Sequence, residues 1–360
     1  MKKFFLLGVI ALTVSGAALN AQTWQIGTPT ATDVTAVLSG STLTINGTGT
    51  GTMLDFASDT DVPWYSVRNS ITVLVIQSGV THIGNNAFYF CQNITGALTF
   101  PNSVTSIGNN AFYICSQLTS VTIPNSVTSI GSMAFRYCRA LTSIDVAAGN
   151  PNYSSVNGVL FNNSQTLLVL YPNGKTGTYT IPNTVNSIGD WAFDNCYGLT
   201  SITIPSSVTS IGNDAFFYCS GLTSITCLNS DPTAITMGSN VFLNVPTTTC
   251  VLRVPTGSKT LYQNAPQWSA FTNIVEGATG IDDVQADNLK IYVANGELII
   301  VGDVPFDNLP FTILDLAGKQ IVNGQWLNGK SINVSALPQG VYFIKIQTDS
   351  GVVTTKFVKE

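Results

Sequence analysis

The sequence predicts a solenoid of stacked coils, with a parallel β-sheet on its concave face and short turns or helical pieces on its convex face. Two observations predict it: a motif recurs about every 23 residues, and each copy spaces its apolar residues as L-x-x-L-x-L. In periods of roughly 20 to 29 residues, that spacing is typical of a leucine-rich repeat solenoid. We expect a β-rich N-terminal cap before the solenoid and a small all-β Ig-like sandwich after it.

Four anchors define the repeat: an Ile-Gly pair, an Ala-Phe pair, a Cys and an apolar strand. The Ile-Gly pairs start at Ile83, Ile107, Ile130, Ile188 and Ile211, at intervals of 24, 23, 58 and 23 residues. The aromatic anchors are Phe88, Phe112, Phe135, Phe193 and Phe216. One coil cannot bury its apolar side chains alone, so stacked coils should share a continuous core. The 58-residue interval should hold two irregular coils, with strands from 159–172 and 179–185.

Outward strand positions predict a hydroxyl-rich, weakly charged binding surface on the concave face. In "LTSVTI" (118–123), apolar residues alternate with Ser120 and Thr122, so the two sets point to opposite sides of the sheet. The outward positions are Thr99, Thr122, Asp145, Thr180, Thr203 and Thr226, with a second rank of Ser120, Ser143, Ser201 and Ser224. Thr also suits any exposed strand position, so the pattern fits either a binding surface or a plain sheet face.

Asp145 is the one charged residue among these outward positions, and it lies just before the irregular coils at 149–182. We therefore expect the centre of any specific site at Asp145. The convex loops that carry Arg136, Tyr137 and Arg139 are the alternative location.

Composition disfavours several function classes. Charged residues make up 9% of the chain, against about 25% in typical proteins, and the net charge is -5. No basic stripe is available to neutralise a nucleic-acid backbone, so we expect no nucleic-acid partner. The only histidine is His82, and no second histidine or paired carboxylates accompany it. We therefore expect no enzyme activity, no metal and no cofactor, and we interpret His82 as a packing or surface residue.

Five of the seven cysteines occupy one column of the repeat: Cys91, Cys115, Cys138, Cys196 and Cys219. Stacked side chains run parallel, whereas a disulfide needs converging Cβ atoms about 3.8 Å apart. These five are therefore expected to be buried thiols. Cys227 and Cys250 lie outside the column, and whether they form a disulfide stays open.

The two ends of the chain differ from the repeats. Residues 1–21 combine two lysines with an apolar stretch that is short for a membrane span, which predicts a cleaved signal peptide; a retained anchor is the alternative. Residues 277–287 form a polar linker. Beyond it, strand candidates at 289–293, 297–301, 311–316, 341–348 and 352–359 predict the all-β sandwich.

The repeat "SVTSIGxxAFxxCxxLTSVTIP" resembles the BspA-like leucine-rich repeat of bacterial surface proteins, over residues 80–276, and 22–79 is similar to its N-terminal cap. At 288–360, "ILDLAGKQI", "LPQGVYFIKI" and the final "KFVK" resemble a type IX secretion C-terminal sorting domain. A plain structural Ig-like domain is the alternative for that unit.

These resemblances imply a protein that the type IX secretion machinery exports to the medium or to the outer surface of a Gram-negative cell. They imply binding or adhesion to a protein or glycan ligand, such as a host protein or another cell, with no membrane span in the mature chain. A structural scaffold of the cell surface or matrix without a specific ligand is the alternative.

Overall fold

A computed structural model describes residues 21–277, 290–294, 297–301, 309–316, 318–326, 331–348 and 351–359. The chain divides into two compact units, with the division after Ala278. The predicted signal peptide (1–21) and linker (277–287) lie almost wholly outside the described residues, so both stay predictions. No helix within the described residues is long and apolar enough to cross a bilayer.

The first unit opens with a small β structure. Its strands are β1 (Gln22–Gln25), β2 (Gly27–Thr28), β3 (Val34–Ser39), β4 (Thr42–Gly47), β5 (Thr52–Met53) and β6 (Val73–Ile76), and its 3-10 helices are Ala31–Asp33, Asp59–Asp61 and Tyr65–Ser70. Strands β1, β3, β4 and β6 form one sheet in that order, with β4 and β6 parallel. Strands β2 and β5 form a separate antiparallel pair.

The aromatic column of the repeats begins inside this N-terminal segment. The Trp64 indole stacks on the Phe88 ring with centroids 5.7 Å apart, and its N–H donates to the Ala87 carbonyl at 3.0 Å. Trp64 thus fills the place of a repeat phenylalanine, 24 residues before Phe88. Tryptophan in that place conceals the repeat from a search for the Ala-Phe anchor.

The solenoid follows, with about eight turns in all. Its strands are β7 (His82–Ile83), β8 (Gly96–Thr99), β9 (Ser106–Ile107), β10 (Leu118–Ile123), β11 (Ser129–Ile130), β12 (Ser143–Val146), β13 (Tyr153–Val156), β14 (Val159–Asn162), β15 (Leu167–Leu170), β16 (Gly177–Thr180), β17 (Ser187–Ile188), β18 (Leu199–Ile204), β19 (Ser210–Ile211), β20 (Ser224–Cys227), β21 (Thr236–Met237), β22 (Val251–Val254) and β23 (Asn273–Glu276). Its helices are α1 (Lys259–Asn264) and the 3-10 helices Pro232–Ala234 and Trp268–Ala270.

Each regular coil contributes one longer strand and one two-residue strand. The longer strands form two parallel sheets, β12-β10-β8 and β16-β18-β20-β22-β23. The short strands form β11-β9-β7 and, after the antiparallel strands β13 and β14, the series β15-β17-β19-β21. The predicted parallel solenoid of the leucine-rich repeat type is confirmed. The short Ser-Ile strands were not predicted, because two residues carry no recognisable period.

Between Gly and Cys, each coil forms a turn that bonds to the next coil. In the first coil, the N–H groups of Asn86, Phe88 and Phe90 donate to carbonyls of the following coil at 2.8 to 2.9 Å. We call this series of inter-coil bonds the turn ladder. Two residues of each turn are left-handed, such as Asn86 at φ 56° and Phe90 at φ 60°. That backbone lets every second N–H point along the solenoid, while the residues between them bond within their own turn.

The core is a stack of rings flanked by thiols. Ring centroids lie 5.1 Å apart from Phe88 to Phe112 and 5.3 Å apart from Phe112 to Phe135. A second stack runs through Tyr171, Phe193, Phe216 and Phe242 at 4.8 to 5.7 Å. All five column cysteines are buried and free, which confirms the prediction for them. Cys227 and Cys250 are also buried and unpaired.

The 58-residue interval interrupts the solenoid. Strand β13 pairs antiparallel with β14, and β14 pairs antiparallel with β15. The irregular character predicted for this interval is present: 159–172 supplies β14 and β15, and only β16 of the interval joins the longer-strand sheets. The reason is the Asn157-Gly158 turn, where both residues have positive φ (51° and 75°), which favours a tight hairpin.

Among its described residues, the second unit has the strands β24 (Lys290–Ala294), β25 (Glu297–Val301), β26 (Leu309–Leu314), β27 (Gln320–Trp326), β28 (Ile332–Asn333), β29 (Gly340–Thr348) and β30 (Gly351–Lys359). They form two antiparallel sheets, β24-β25-β28 and β27-β26-β29-β30. Buried side chains such as Phe311, Ile313 and Ile344 form one core cluster. The five predicted strands are present with small shifts, and the Ig-like topology stays a prediction.

Strand β27 was missed because its Asn323-Gly324 pair reads as a turn. In the structure, Gly324 lies opposite Phe311 in the antiparallel pair. A Cβ at Gly324 would lie 2.8 Å from the Phe311 ring. The glycine therefore gives space to an aromatic side chain instead of reversing the chain.

Candidate binding face

The predicted outward positions align into two separate ladders on the longer strands. The first ladder joins Thr99, Thr122 and Asp145, which are directly opposite one another across β8, β10 and β12. The second ladder joins Thr180, Thr203 and Thr226 across β16, β18 and β20. Strands β12 and β16 are not paired, so the single column expected from the sequence is two columns. We call the outward side of these strands the strand face.

The serine rank runs beside each ladder. Ser120 lies opposite Ser143, and Ser201 lies opposite Ser224. All four serines are half-buried, whereas Thr122 is exposed. Thr99 and Thr180 are exposed as well, whereas Thr203 and Thr226 are half-buried like the serines, so the first ladder presents its hydroxyls more fully than the second.

Asp145 ends the first ladder at the interruption. Its side chain is exposed, and the Ser143 hydroxyl donates to its Oδ2 at 2.9 Å. The Ile144 N–H donates to the Gly158 carbonyl at 2.9 Å, so the hairpin tip lies against this strand. The Asp145 carboxylate therefore lies at the boundary between the regular parallel sheet and the β13–β14 hairpin.

A lysine that the sequence analysis missed stands near Asp145. The Lys175 ammonium donates to the Asn157 carbonyl at 2.9 Å and to the Thr142 carbonyl at 3.5 Å. Burial lowers the pKa of Lys175, while the negative charge of Asp145 acts in the opposite direction. Asp145, Ser143 and Lys175 therefore offer an acceptor, a hydroxyl and a cation in one area. Thirty residues separate Lys175 from Asp145, and no local pattern signals their proximity.

The second ladder continues past Thr226 to a cation on β22, and Val275 of β23 lies opposite that cation. Arg253 lies opposite Thr226 in the parallel pair of β20 and β22, and its side chain is exposed. The alternation in "VLRV" (251–254) gives Arg253 the same outward phase as the threonines. Sequence alone could therefore have added it to the ladder.

The loops of Arg136, Tyr137 and Arg139, which are the alternative site, hold side chains that mostly contact other side chains of the protein. Arg136 is mostly buried and its Nε donates to the Asp194 carboxylate, so this guanidinium is already engaged. The Arg139 guanidinium lies 5.5 Å from the centre of the Tyr197 ring. Tyr137 packs edge-on against Tyr113 at 5.2 Å. Of the two predicted cations, only Arg139 is free of an ion pair within the described residues.

His82 joins the N-terminal segment to the repeats. Its Nδ1 lies 2.7 Å from the Ser106 hydroxyl, and its Nε2 lies 3.1 Å from Asp55 Oδ1. Both ring nitrogens therefore have partners. The packing role expected from the sequence agrees with this geometry.

The cysteines are the candidate nucleophiles of the described chain, and its His, Cys, Asp and Glu side chains are the candidate metal ligands. There, no group of three or more His, Cys, Asp or Glu side chains is arranged to hold a metal. Burial raises the pKa of Cys91 and of Cys138 to about 12, so these thiols stay protonated at neutral pH. The Cys138 thiol donates to the Phe112 carbonyl of the preceding coil at 3.2 Å.

Two family descriptions match the chain. "BspA type Leucine rich repeat region" matches residues 64–176 and 173–269, in six copies. "Secretion system C-terminal sorting domain" matches residues 286–360. No curated protein matches the chain.

Several solved structures are similar. A leucine-rich repeat protein from Eubacterium ventriosum is 28% identical, covering 71% of this chain and 78% of that one, with a TM-score of 0.45. A leucine rich cell surface protein from Faecalibacterium prausnitzii is 21% identical, covering 69% and 94%, with a TM-score of 0.37. The pneumococcal vaccine antigen PcpA is 17% identical, covering 69% and 98%, with a TM-score of 0.37.

Proposed function

Because this chain belongs to the BspA-type leucine-rich repeat family and ends in a type IX secretion sorting domain, we propose that it is a secreted or cell-surface binding protein. Its strand face would attach the protein to a host protein, another cell or a glycan. We propose no enzymatic role for it.

The two aligned ladders are the observation that supports binding. Backbone pairing holds each threonine opposite the next, so a ligand would meet hydroxyl groups that are already ordered. A preordered surface loses less conformational entropy on binding than a flexible one. The first ladder ends in Asp145 and the second continues to Arg253, so each row of hydroxyls has one charged group beside it.

The test uses the mature chain from Gln22 to Glu360, applied to immobilised matrix proteins and to a glycan array. We expect saturable binding to at least one of these probes. Because the ladders are almost uncharged, the affinity should fall little between low and physiological salt.

The double variant Asp145→Lys, Thr122→Lys should abolish that binding while the thermal unfolding curve stays unchanged, because both side chains are exposed. A matched control with the same charge change is Thr128→Lys, Thr209→Lys, Ser230→Lys, at exposed positions outside the ladders. Binding retained by the double variant would move the site off the strand face. Absence of binding to every probe would favour the scaffold role.

A further inference from the structure

The turn ladder supplies hydrogen-bond partners at each regular junction between coils. The N–H groups of Asn110, Phe112 and Ile114 donate to carbonyls of the next coil at 2.8 to 3.0 Å. The equivalent groups of Trp191, Phe193 and Asn195 do the same at 2.8 to 2.9 Å. Each coil thus presents three backbone donors to its successor.

At the interruption no regular coil follows the coil of Phe135, so its three equivalent N–H groups lack the carbonyls that the next coil supplies elsewhere. Within the described residues, the N–H groups of Met133, Phe135 and Tyr137 have no hydrogen-bond acceptor. The Ile130 N–H, just before this turn, donates to the Tyr153 hydroxyl oxygen at 3.0 Å. Phe135 is buried, and an unpaired buried N–H costs about 1 to 3 kcal/mol, so a ligand carbonyl that bonds to this group would recover that energy.

A pocket of about 210 Å³ opens at the same place. Its walls are mostly apolar and come from both sides of the interruption, among them Ile130, Met133, Leu160, Val169 and Trp191. A cavity of roughly 150 Å³ is enough to hold benzene. The volume therefore suits one large apolar side chain.

The aromatic stacks explain why the space is there. Phe135 ends the first stack and Tyr171 begins the second, and between them the interruption supplies the aliphatic side chains Leu160, Val169 and Leu170. The ring that would follow Phe135 in a regular solenoid is missing. Asp190 lines the pocket, and Asp194 lies beside it in an ion pair with Arg136. Two carboxylates thus outnumber one guanidinium, so the charge around the pocket is slightly negative.

The C-terminal end of the solenoid has the same kind of unpaired N–H groups as the interruption, but different side chains cover it. The N–H groups of Asn240, Phe242 and Asn244 have no acceptor there within the described residues. That end is covered, because Trp268 and Phe271 pack on the Phe242 ring at 4.8 and 5.1 Å. At the interruption no ring covers Phe135 on that side in the described chain.

We propose that this interruption is a docking site for a peptide segment of a partner protein. Carbonyls of the segment accept the N–H groups of Met133, Phe135 and Tyr137, as the next coil does elsewhere. One aromatic or large aliphatic side chain of the segment fills the pocket, and its flanks are neutral or basic. The site is separate from the strand face, because it uses the turns and short strands of the coils.

The test uses a fluorescently labelled, end-blocked peptide with the chain's own turn sequence, Gly-Asn-Asn-Ala-Phe-Tyr-Ile (residues 108–114), followed by lysine. Anisotropy should report saturable binding to the mature chain. Replacing phenylalanine with alanine in the peptide should weaken binding at least tenfold, and replacing the lysine with glutamate at least threefold. Hydrogen exchange should slow at residues 133–137 on binding.

Two matched variants locate the site. Ser132→Trp places a bulky ring at the pocket, and Ser239→Trp does so at the same repeat position elsewhere; both serines are exposed. Ser132→Trp should weaken peptide binding at least tenfold, and Ser239→Trp should leave it unchanged. No saturable binding, equal binding of the alanine or glutamate peptide, or an equal effect of both variants would overturn the proposal.

Discussion

Arg136 and Asp194 form a buried ion pair that joins the two halves of the repeat stack across 58 residues of sequence. Asp194 is fully buried at its side chain, and Arg136 is 15% exposed. The Asn195 side chain donates to the other carboxylate oxygen of Asp194. Burial raises the pKa of Asp194 above its ordinary value, while the bond from Arg136 acts in the opposite direction.

Removing the cation should destabilise the fold in a pH-dependent way. Arg136→Met leaves an unpaired buried carboxylate, which costs about 3 to 5 kcal/mol of unfolding free energy at pH 7. In this variant the pKa of Asp194 should rise further. Once the carboxyl is protonated in the folded state it carries no charge, so most of the cost of about 3 to 5 kcal/mol for one unpaired buried charge is removed. The loss should therefore be smaller at pH 4.5 than at pH 7, measured by urea denaturation at both values.

The double variant Arg136→Met, Asp194→Leu is the control, because it removes both charges together. It should recover most of the stability at pH 7. An Arg136→Met loss that is equal at both pH values would show that the guanidinium acts by packing alone.

Phe112 should be more sensitive than a surface ring. Its ring contacts Phe88 and Phe135 on its two sides, and Phe100 edge-on at 5.6 Å. Phe112→Ala should lower the free energy of unfolding by about 3 to 5 kcal/mol. Tyr218→Ala, at a side chain that is 42% exposed, should cost far less. An unchanged urea midpoint for Phe112→Ala would contradict the inward position of the column.

The native protein should contain no reactive thiol. All seven cysteines are buried, and burial raises the pKa of the Cys250 thiol, outside the column, to about 11. Thiolate is the reactive form, so a disulfide-exchange dye at pH 8 should label none in the folded chain and seven after denaturation. Five labelled thiols after denaturation would instead indicate a Cys227–Cys250 disulfide.

Export should depend on the second unit. Deleting Ile281 to Glu360 should leave the protein in the periplasm of its native host, because this segment contains the whole region that matches the sorting domain. The repeats should remain folded, since their core clusters draw only on residues 26–274. Cell fractionation and limited proteolysis check the two statements. Normal amounts of truncated protein at the surface would refute the sorting role.

The regular coils were predictable because each one contacts mainly its neighbours. The phases of Phe112 and Cys115 recur at nearly fixed intervals, so local sequence suffices to place both in the core. The alternation in 118–123 likewise placed Thr122 outward. The column of outward residues was less predictable, because its division into two ladders depends on a hairpin between them.

The sequence by itself determined the period, the inward ring and thiol columns, the hydroxyl-bearing strand positions and the change to a second unit. Only the tertiary structure decided that Trp64 begins the column, that Lys175 stands near Asp145, and that Arg136 binds Asp194. The physical reason is the range of the contacts. A repeat encodes contacts one period apart, whereas an interruption brings together residues at separations that no period specifies, and there geometry alone selects the partners.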